Sequence, residues 1–285
     1  TMSLVKGIIT PMVTPVKNGS LDEEGLKELL RFLKDIGVSG AFPMGSTGLF
    51  PLFSFQDHRR FLELSIKHKP PNMAAYAGVS RNNFDETMEM LKAAKDLGYD
   101  AAVVVVPYYL KLSQESIYAY YNKISKLGFP IIVYNIPQFT GNSILPETLR
   151  RLAEENSNVL GIKDSSGDLR LLQQFINELP KGFSVYQGQD DLLLASLTVG
   201  ASGGVCGTSN FSGKIVDVYK KRSLEAQTEV AKIMKLFSSF EFPKPYYYLF
   251  RKLVLKESRP RGYMPFPMSD LTENEEKAVE EAFRA

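Results

Sequence analysis

Short, flat apolar segments alternate along the chain with longer amphipathic stretches, the pattern expected of parallel strands joined by crossover helices. The strand-like segments run Gly7 to Thr10, Gly40 to Pro43, Ala74 to Val79, Ala101 to Pro107, Ile131 to Asn135, Val159 to Lys163, Ser184 to Gln187 and Gly203 to Thr208. Helical stretches lie between them, several with a start signal. Ser20 with Glu23 reads as a capping box ahead of Leu26, Leu29, Leu30 and Leu33, and Gly37 stops that helix. Asn83 precedes the Met88, Leu91, Ala94, Leu97 stripe, Ser113 precedes Ile117 to Ile124, Pro146 opens a short helix, and Asp168 precedes Leu172, Phe175 and Ile176. Eight such units over about 220 residues predict an α/β fold: a closed (β/α)8 TIM barrel over residues 1–223. A C-terminal helical extension over residues 224–285 would pack on it within one structural domain, bent at Pro243 and Pro245. An open doubly wound sheet is the alternative, but no G-x-G-x-x-G follows the first strand, where a dinucleotide fold carries one.

Composition narrows the function. At 285 residues, 44% hydrophobic and 23% charged, the chain has the make-up of an ordinary globular protein. Its 34 Lys and Arg against 32 Asp and Glu, with no long run of like charge, argue against a nucleic-acid face. Cys206 is the single cysteine, so no internal disulfide can form, and with only His58 and His68 beside it a transition-metal site is not expected. The longest aliphatic run, Ala101 to Val106, is far short of a membrane span, and Met2 to Gly7 has no apolar signal core; Thr1 is set aside. These features predict a cytoplasmic protein with no membrane partner.

In a barrel, the C-terminal strand ends and the loops after them build the site. There the sequence places Gly45, Ser46, Thr47 and Gly48; Tyr108 and Tyr109; Tyr134 and Asn135; Lys163; and Gly188 with Asp190 and Asp191. Alternation puts Val159, Gly161 and Lys163 on one face, which can be the barrel interior, with Gly161 leaving space below the lysine stem. An ammonium in a partly dry cavity loses hydration, and that favours the uncharged, nucleophilic amine. A lysine snorkelling to water fits the same segment. Tyr134 shares the parity of Ile132 and reads either as a proton shuttle in the barrel mouth or as a core tyrosine bonded to a backbone carbonyl. The Gly45 to Gly48 turn is either a neutral nest for a carboxylate or simply a tight turn. Asp190 and Asp191 read as helix caps, His58 and His68 as solvated surface, and Cys206 as a small buried filler. Taken together, an amine, a phenol and an anion nest converging on one cavity suit Schiff-base chemistry on a 2-oxo acid, which needs no metal or cofactor.

Five motifs in order carry a resemblance over nearly the whole barrel: Thr10-Pro11 with Thr14-Pro15 and Gly45-Ser46-Thr47-Gly48; Pro107-Tyr108-Tyr109; Tyr134-Asn135-Ile136-Pro137 with Thr140-Gly141; Gly161-Ile162-Lys163-Asp164; and Gly188 with Asp190. The chain resembles the pyruvate-dependent class I aldolases of the dihydrodipicolinate synthase and N-acetylneuraminate lyase family. The resemblance implies that Lys163 forms the imine, Tyr134 shuttles protons, and Ser46 and Thr47, with Gly45 behind them, hold the pyruvyl carboxylate. It further implies that Tyr109 joins a hydroxyl relay completed by a neighbouring subunit of a homotetramer. Where dihydrodipicolinate synthases carry an arginine for the second substrate's carboxylate, this sequence has Phe139. Leu49 after Thr-Gly resembles the archaeal type of 2-keto-3-deoxygluconate aldolase, which yields pyruvate and glyceraldehyde. N-acetylneuraminate lyase is the near alternative through Ser166-Gly167-Asp168-Leu169, and a barrel that binds a sugar acid without turning it over is the other. Gly188, Asp190, Asp191, Ser209, Asn210, Gln138, Asn142 and Lys244 are candidates for the polyol tail of such a 2-oxo sugar acid.

Overall fold

The computed structural model describes residues 3–283; Thr1 and Met2 lie outside them. Eight parallel strands close on themselves: β1 (Gly7–Pro11), β2 (Gly40–Phe42), β3 (Ala74–Gly78), β4 (Ala101–Val105), β5 (Ile131–Asn135), β6 (Val159–Asp164), β7 (Ser184–Gln187) and β8 (Gly203–Val205). Closure is direct, with β1 pairing β8 through Gly7 and Gly203 and pairing β2 through Ile9 and Gly40. Around the ring stand α1 (Glu23–Ile36), α2 (Phe55–His68), α3 (Phe84–Leu97), α4 (Gln114–Ser125), α5 (Pro146–Glu155), α6 (Leu169–Glu178), α7 (Leu193–Thr198) and α8 (Lys214–Lys221). The expected (β/α)8 barrel is therefore what the chain forms. Asn83, Ser113 and Asp168 each accept a backbone N–H from the first turn of their helix.

Every second residue of the strands points inward, and Ile9, Phe42, Tyr76, Val103, Ile132, Tyr186 and Val205 fill the barrel beneath Lys163. The N-terminal segment stoppers the lower end. Val5 donates its N–H to Tyr76 Oη at 2.9 Å and accepts from the Tyr186 hydroxyl. Leu4 lies against Gly161, where a Cβ would come within 2.8 Å of Leu4 Cδ1 and 2.9 Å of the Ser184 carbonyl. Gly161 thus makes room for this stopper; its space is not left open under the lysine.

Two local readings are corrected. Ser20 does not cap α1. It pairs with Lys17 in a small hairpin, Val16–Lys17 with Ser20–Leu21, whose Asn18-Gly19 turn has positive φ at both residues, and Asp22 caps the helix instead. His58 is not on the surface. It shares the inward face of α2 with Phe61, Leu62 and Ser65, is fully buried, and donates from Nε2 to the Gly78 carbonyl at 2.7 Å, while Nδ1 has no partner. His68 is partly covered and bonds Glu23 at 2.8 Å.

Beyond α8 come α9 (Leu224–Phe237), α10 (Lys244–Leu249), which runs on into a π-helical turn over Phe250–Val254, and α11 (Glu273–Ala282). Between α9 and α10 the chain crosses the barrel mouth through the Phe242–Pro243 cis peptide. Arg251, buried, reaches back to Asp22 at 2.7 Å and ties the extension to the start of α1. Among the described residues no helix is long and apolar enough to cross a membrane.

Burial pushes the His58 pKa down from 6.5 to about 4. Its folded-state value lies below the unfolded one, so the neutral ring's contribution is fully present above the unfolded value and is lost as pH falls toward the folded one. Lowering the pH from about 7 to about 4.5 should cost the wild type about 2 kcal/mol more than a His58→Gln variant, measured by denaturant unfolding. Equal losses in the two proteins would show that the ring is not held neutral.

Candidate active site

Lys163 leaves the end of β6 pointing into the barrel, with only 5% of its surface exposed. Its Nζ lies 4.1 Å from the Tyr134 ring centroid and 5.4 Å from that of Phe42, and among the described residues it forms no ion pair. The contact with Tyr134 follows from register, because these two residues are direct Cα partners on β5 and β6. Tyr134 is buried, and its hydroxyl meets no backbone carbonyl among the described residues; it stands 3.0 Å from Ser46 Oγ. Amine, phenol and serine hydroxyl therefore meet across three strand ends, two of them neighbours in the sheet.

The Ser46-Thr47 turn is braced from outside. Thr14 Oγ1 donates to the Gly48 carbonyl at 2.7 Å, and the Tyr247 hydroxyl donates to the Thr47 carbonyl at 2.8 Å. Met44 and Leu49 on either side both have positive φ, so the turn is tightly wound. Within it the Ser46 and Thr47 N–H groups donate to no acceptor among the described residues. Two free N–H groups with a hydroxyl beside each form a seat for a carboxylate. Gly45 lies beneath, against the Phe42 ring.

These groups open on a cavity of about 260 Å³. Gly188 lines it and needs to be glycine: a Cβ there would sit 2.0 Å from Ser165 Oγ. Gln138 and Gln189 both line it, and each donates to the Ser165 carbonyl, at 2.7 and 2.8 Å. Phe139, 55% exposed, stacks on Phe242 with ring centroids 5.4 Å apart. That pair lines both the polar cavity and an apolar recess of about 280 Å³ reaching to Leu49, Tyr108 and Met268. Among the described residues lining either space, Lys163 is the only cation.

Other predicted residues lie elsewhere. Tyr109 is 87% exposed with φ of 79°, turned away from the cavity of its own barrel. Asp190 lines the cavity floor, but its carboxylate does not cap the helix that follows it; it serves the first turn of the short 3-10 helix Gly207–Asn210. It accepts from the N–H groups of Gly207 and Thr208, at 3.1 and 2.9 Å, and from the Thr208 hydroxyl; burial pushes its pKa up to about 6. Asp191 is exposed. Ser209 and Asn210 are fully buried beneath the floor, Ser209 bonding Thr10 and Cys206, and Asn210 bonding Pro11, Val13 and Gly207. Asn142 is occupied with the carbonyls of Pro107 and Leu110, and Lys244 with Glu241 at 2.9 Å. Cys206 is fully buried. Sequence reasoning missed Met234, Phe242 and Tyr246, by which the extension forms one wall of the cavity. No local pattern marks them, since only the docking of α9 and α10 brings them there.

Comparison with known proteins agrees with this architecture. The family described as the dihydrodipicolinate synthetase family matches residues 4–285. A 2-dehydro-3-deoxy-D-gluconate/2-dehydro-3-deoxy-phosphogluconate aldolase of Picrophilus torridus is 42% identical over 264 residues, 89% of this chain and 97% of that protein. A 4-hydroxy-tetrahydrodipicolinate synthase of Methanopyrus kandleri is 37% identical over 220 residues, 76% of this chain and 73% of that one. Among solved structures, the 2-keto 3-deoxygluconate aldolase from Picrophilus torridus superposes with a TM-score of 0.88 at 40% identity, covering 94% of this chain and 99% of its own. With the family match spanning the barrel and its extension, the chain belongs to the dihydrodipicolinate synthetase family and is a carbon–carbon lyase.

Proposed function

We propose that the protein is a Schiff-base aldolase that cleaves 2-keto-3-deoxygluconate, and its galactonate-derived epimer, reversibly to pyruvate and glyceraldehyde. The observation that carries this reading is the buried, unpaired amine of Lys163 against a tyrosine whose hydroxyl is bonded to Ser46. In this reading the substrate carboxylate sits on the N–H groups and hydroxyls of Ser46 and Thr47, which sets the C2 carbonyl before Lys163. Nζ adds to C2, Tyr134 relays the protons as the carbinolamine loses water, and the resulting iminium withdraws electrons from C3. The C3–C4 bond breaks as Tyr134 removes the C4 hydroxyl proton, releasing glyceraldehyde. Protonation of the enamine and hydrolysis of the imine return pyruvate and the free amine. Because the iminium is the electron sink, the chemistry calls for neither metal nor organic cofactor.

The tail of the substrate is read from the cavity wall. A second carboxylate or a phosphate calls for a cationic partner, and Lys163 is already committed to the carbonyl. Phe139, Gln138 and Gln189 instead suit a neutral polyol. This favours the free sugar acid over its phosphate and over a dicarboxylate-forming synthase reaction; the name of the Picrophilus relative covers both the free sugar acid and its phosphate. Tyr109, turned outward in its own barrel, would complete the hydroxyl relay of a neighbouring copy, and the reading includes a cytoplasmic homotetramer on that basis.

Three outcomes are expected. Borohydride added with pyruvate should leave an N-carboxyethyl group on Lys163, found by peptide mass spectrometry; pyruvate production with Lys163 unmodified would remove the mechanism, and binding of the sugar acid without any product would make the barrel a binding module. Tyr134→Phe should lower kcat about 10²- to 10⁴-fold with a small change in KM, while a loss below tenfold would strip Tyr134 of its proton-relay role. Steady-state kcat/KM should be higher for 2-keto-3-deoxygluconate than for its phosphate or for N-acetylneuraminate, and Phe139→Arg should shift the ratio toward the phosphate by about tenfold. A wild type that prefers the phosphate or N-acetylneuraminate would refute the tail assignment.

A further inference from the structure

The residues that follow Tyr134 and Lys163 have no part in the chemistry above. Asn135 and Asp164 end β5 and β6, are Cα partners one step beyond the Tyr134–Lys163 pair, and are fully buried. By strand alternation they face the shell between barrel and helices while Tyr134 and Lys163 face the cavity. Asn135 Nδ2 donates to Asp164 Oδ1 at 3.1 Å. The amide orientation is fixed by its neighbour: the Ile144 N–H, which can only donate, meets Asn135 Oδ1 at 3.2 Å. Asp164 also accepts from the Ser166 N–H at 3.2 Å and from the Ser166 hydroxyl at 2.9 Å.

A carboxylate in such a place is expensive. Among the described residues no lysine or arginine pairs with Asp164; burial raises its pKa, the bonds from Asn135 and Ser166 oppose that rise, and Asp168 nearby adds to it. The outward positions two residues earlier on these two strands, Val133 and Ile162, are apolar. The local ladder explains why a costly polar pair is useful at this point. The β5–β6 register shifts between Ile131 and Ile132, and above that irregularity the pairs run in step from Ile132–Gly161 to Asn135–Asp164 at the upper end. A slip by one residue would turn either Lys163 or Tyr134 out of the cavity.

We propose that Asn135 and Asp164 form a positioning clamp that holds β5 and β6 in the register at which the Lys163 amine faces the Tyr134 phenol. The clamp rests on the proposed aldolase function, because its purpose is proton transfer between those two groups. Displacement of about 1 Å in such a pair costs on the order of 10²-fold in rate.

The test compares Asn135→Leu and Asp164→Leu, each of which removes the cross-strand bond, with Asp164→Asn, which keeps an acceptor oxygen facing Asn135. Their folding is checked by circular dichroism, and kcat, KM and the rate of borohydride trapping with pyruvate are then measured. Both leucine variants should lose about 10- to 100-fold in kcat and in trapping rate with KM little changed, and Asp164→Asn should recover most of what Asp164→Leu loses. Folded leucine variants that trap pyruvate and turn over at the wild-type rate overturn the clamp alone, whereas a wild type that traps no pyruvate overturns the aldolase reading with it. Should the leucine variants not fold, Asn135→Asp decides the matter. There two facing carboxyls must share one proton, so kcat should fall with rising pH more steeply than the wild type's as the proton is lost. A profile parallel to the wild type's overturns the clamp.

Discussion

Everything at the barrel mouth depends on keeping one amine out of water without giving it a counter-ion. Lys163 is 5% exposed, lies over two aromatic rings and forms no ion pair among the described residues. A neighbouring carboxylate would hold the ammonium charged and useless as a nucleophile. The two aromatic faces instead surround the amine without offering it an anionic partner. The acids closest to the cavity are turned to other uses: Asp190 is bonded to the end of β8, and Asp164 faces away across the sheet. Placing carboxylates where they are bonded to backbone N–H groups and side-chain donors is how the fold keeps acidic residues near the lysine without pairing them with it.

That arrangement needs a barrel sealed from below and walled from above. The lower seal is the Leu4–Val5 segment, held by the Tyr76 and Tyr186 hydroxyls and admitted by the missing side chain at Gly161. The upper wall comes from far along the chain, where Met234, Phe242 and Tyr246 of the extension face the strand ends. Phe139 and Phe242 meet across the mouth and are joined in the same aromatic cluster to Tyr246 and Phe237. The extension is in this way part of the cavity as much as of the scaffold.

Much of this was legible in the sequence wherever the determinant is local. Strand segments showed as apolar runs, helix starts as Asn83, Ser113 and Asp168, and the parity of Val159, Gly161 and Lys163 placed the lysine inside. Reading failed where a nearer signal competed or the determinant was distant. Ser20 looked like a cap because the Asn18-Gly19 hairpin ahead of it was overlooked, and His58 looked exposed because its basic neighbours hid the Phe61, Leu62, Ser65 face it shares. Ser209 and Asn210 stand at the right strand end, yet the backbone there folds under the cavity and consumes their polar atoms. The aromatic wall of the extension had no signal at all, since its place is decided by tertiary docking.

A crystal structure of the protein grown with pyruvate bears most directly on the role of Lys163. Continuous density from Nζ to C2 of the pyruvyl group, with its carboxylate on the Ser46 and Thr47 N–H groups and the Tyr134 hydroxyl within hydrogen-bond distance, is the predicted result. Pyruvate bound away from a free Lys163 amine, or an empty cavity at saturating pyruvate, would contradict it.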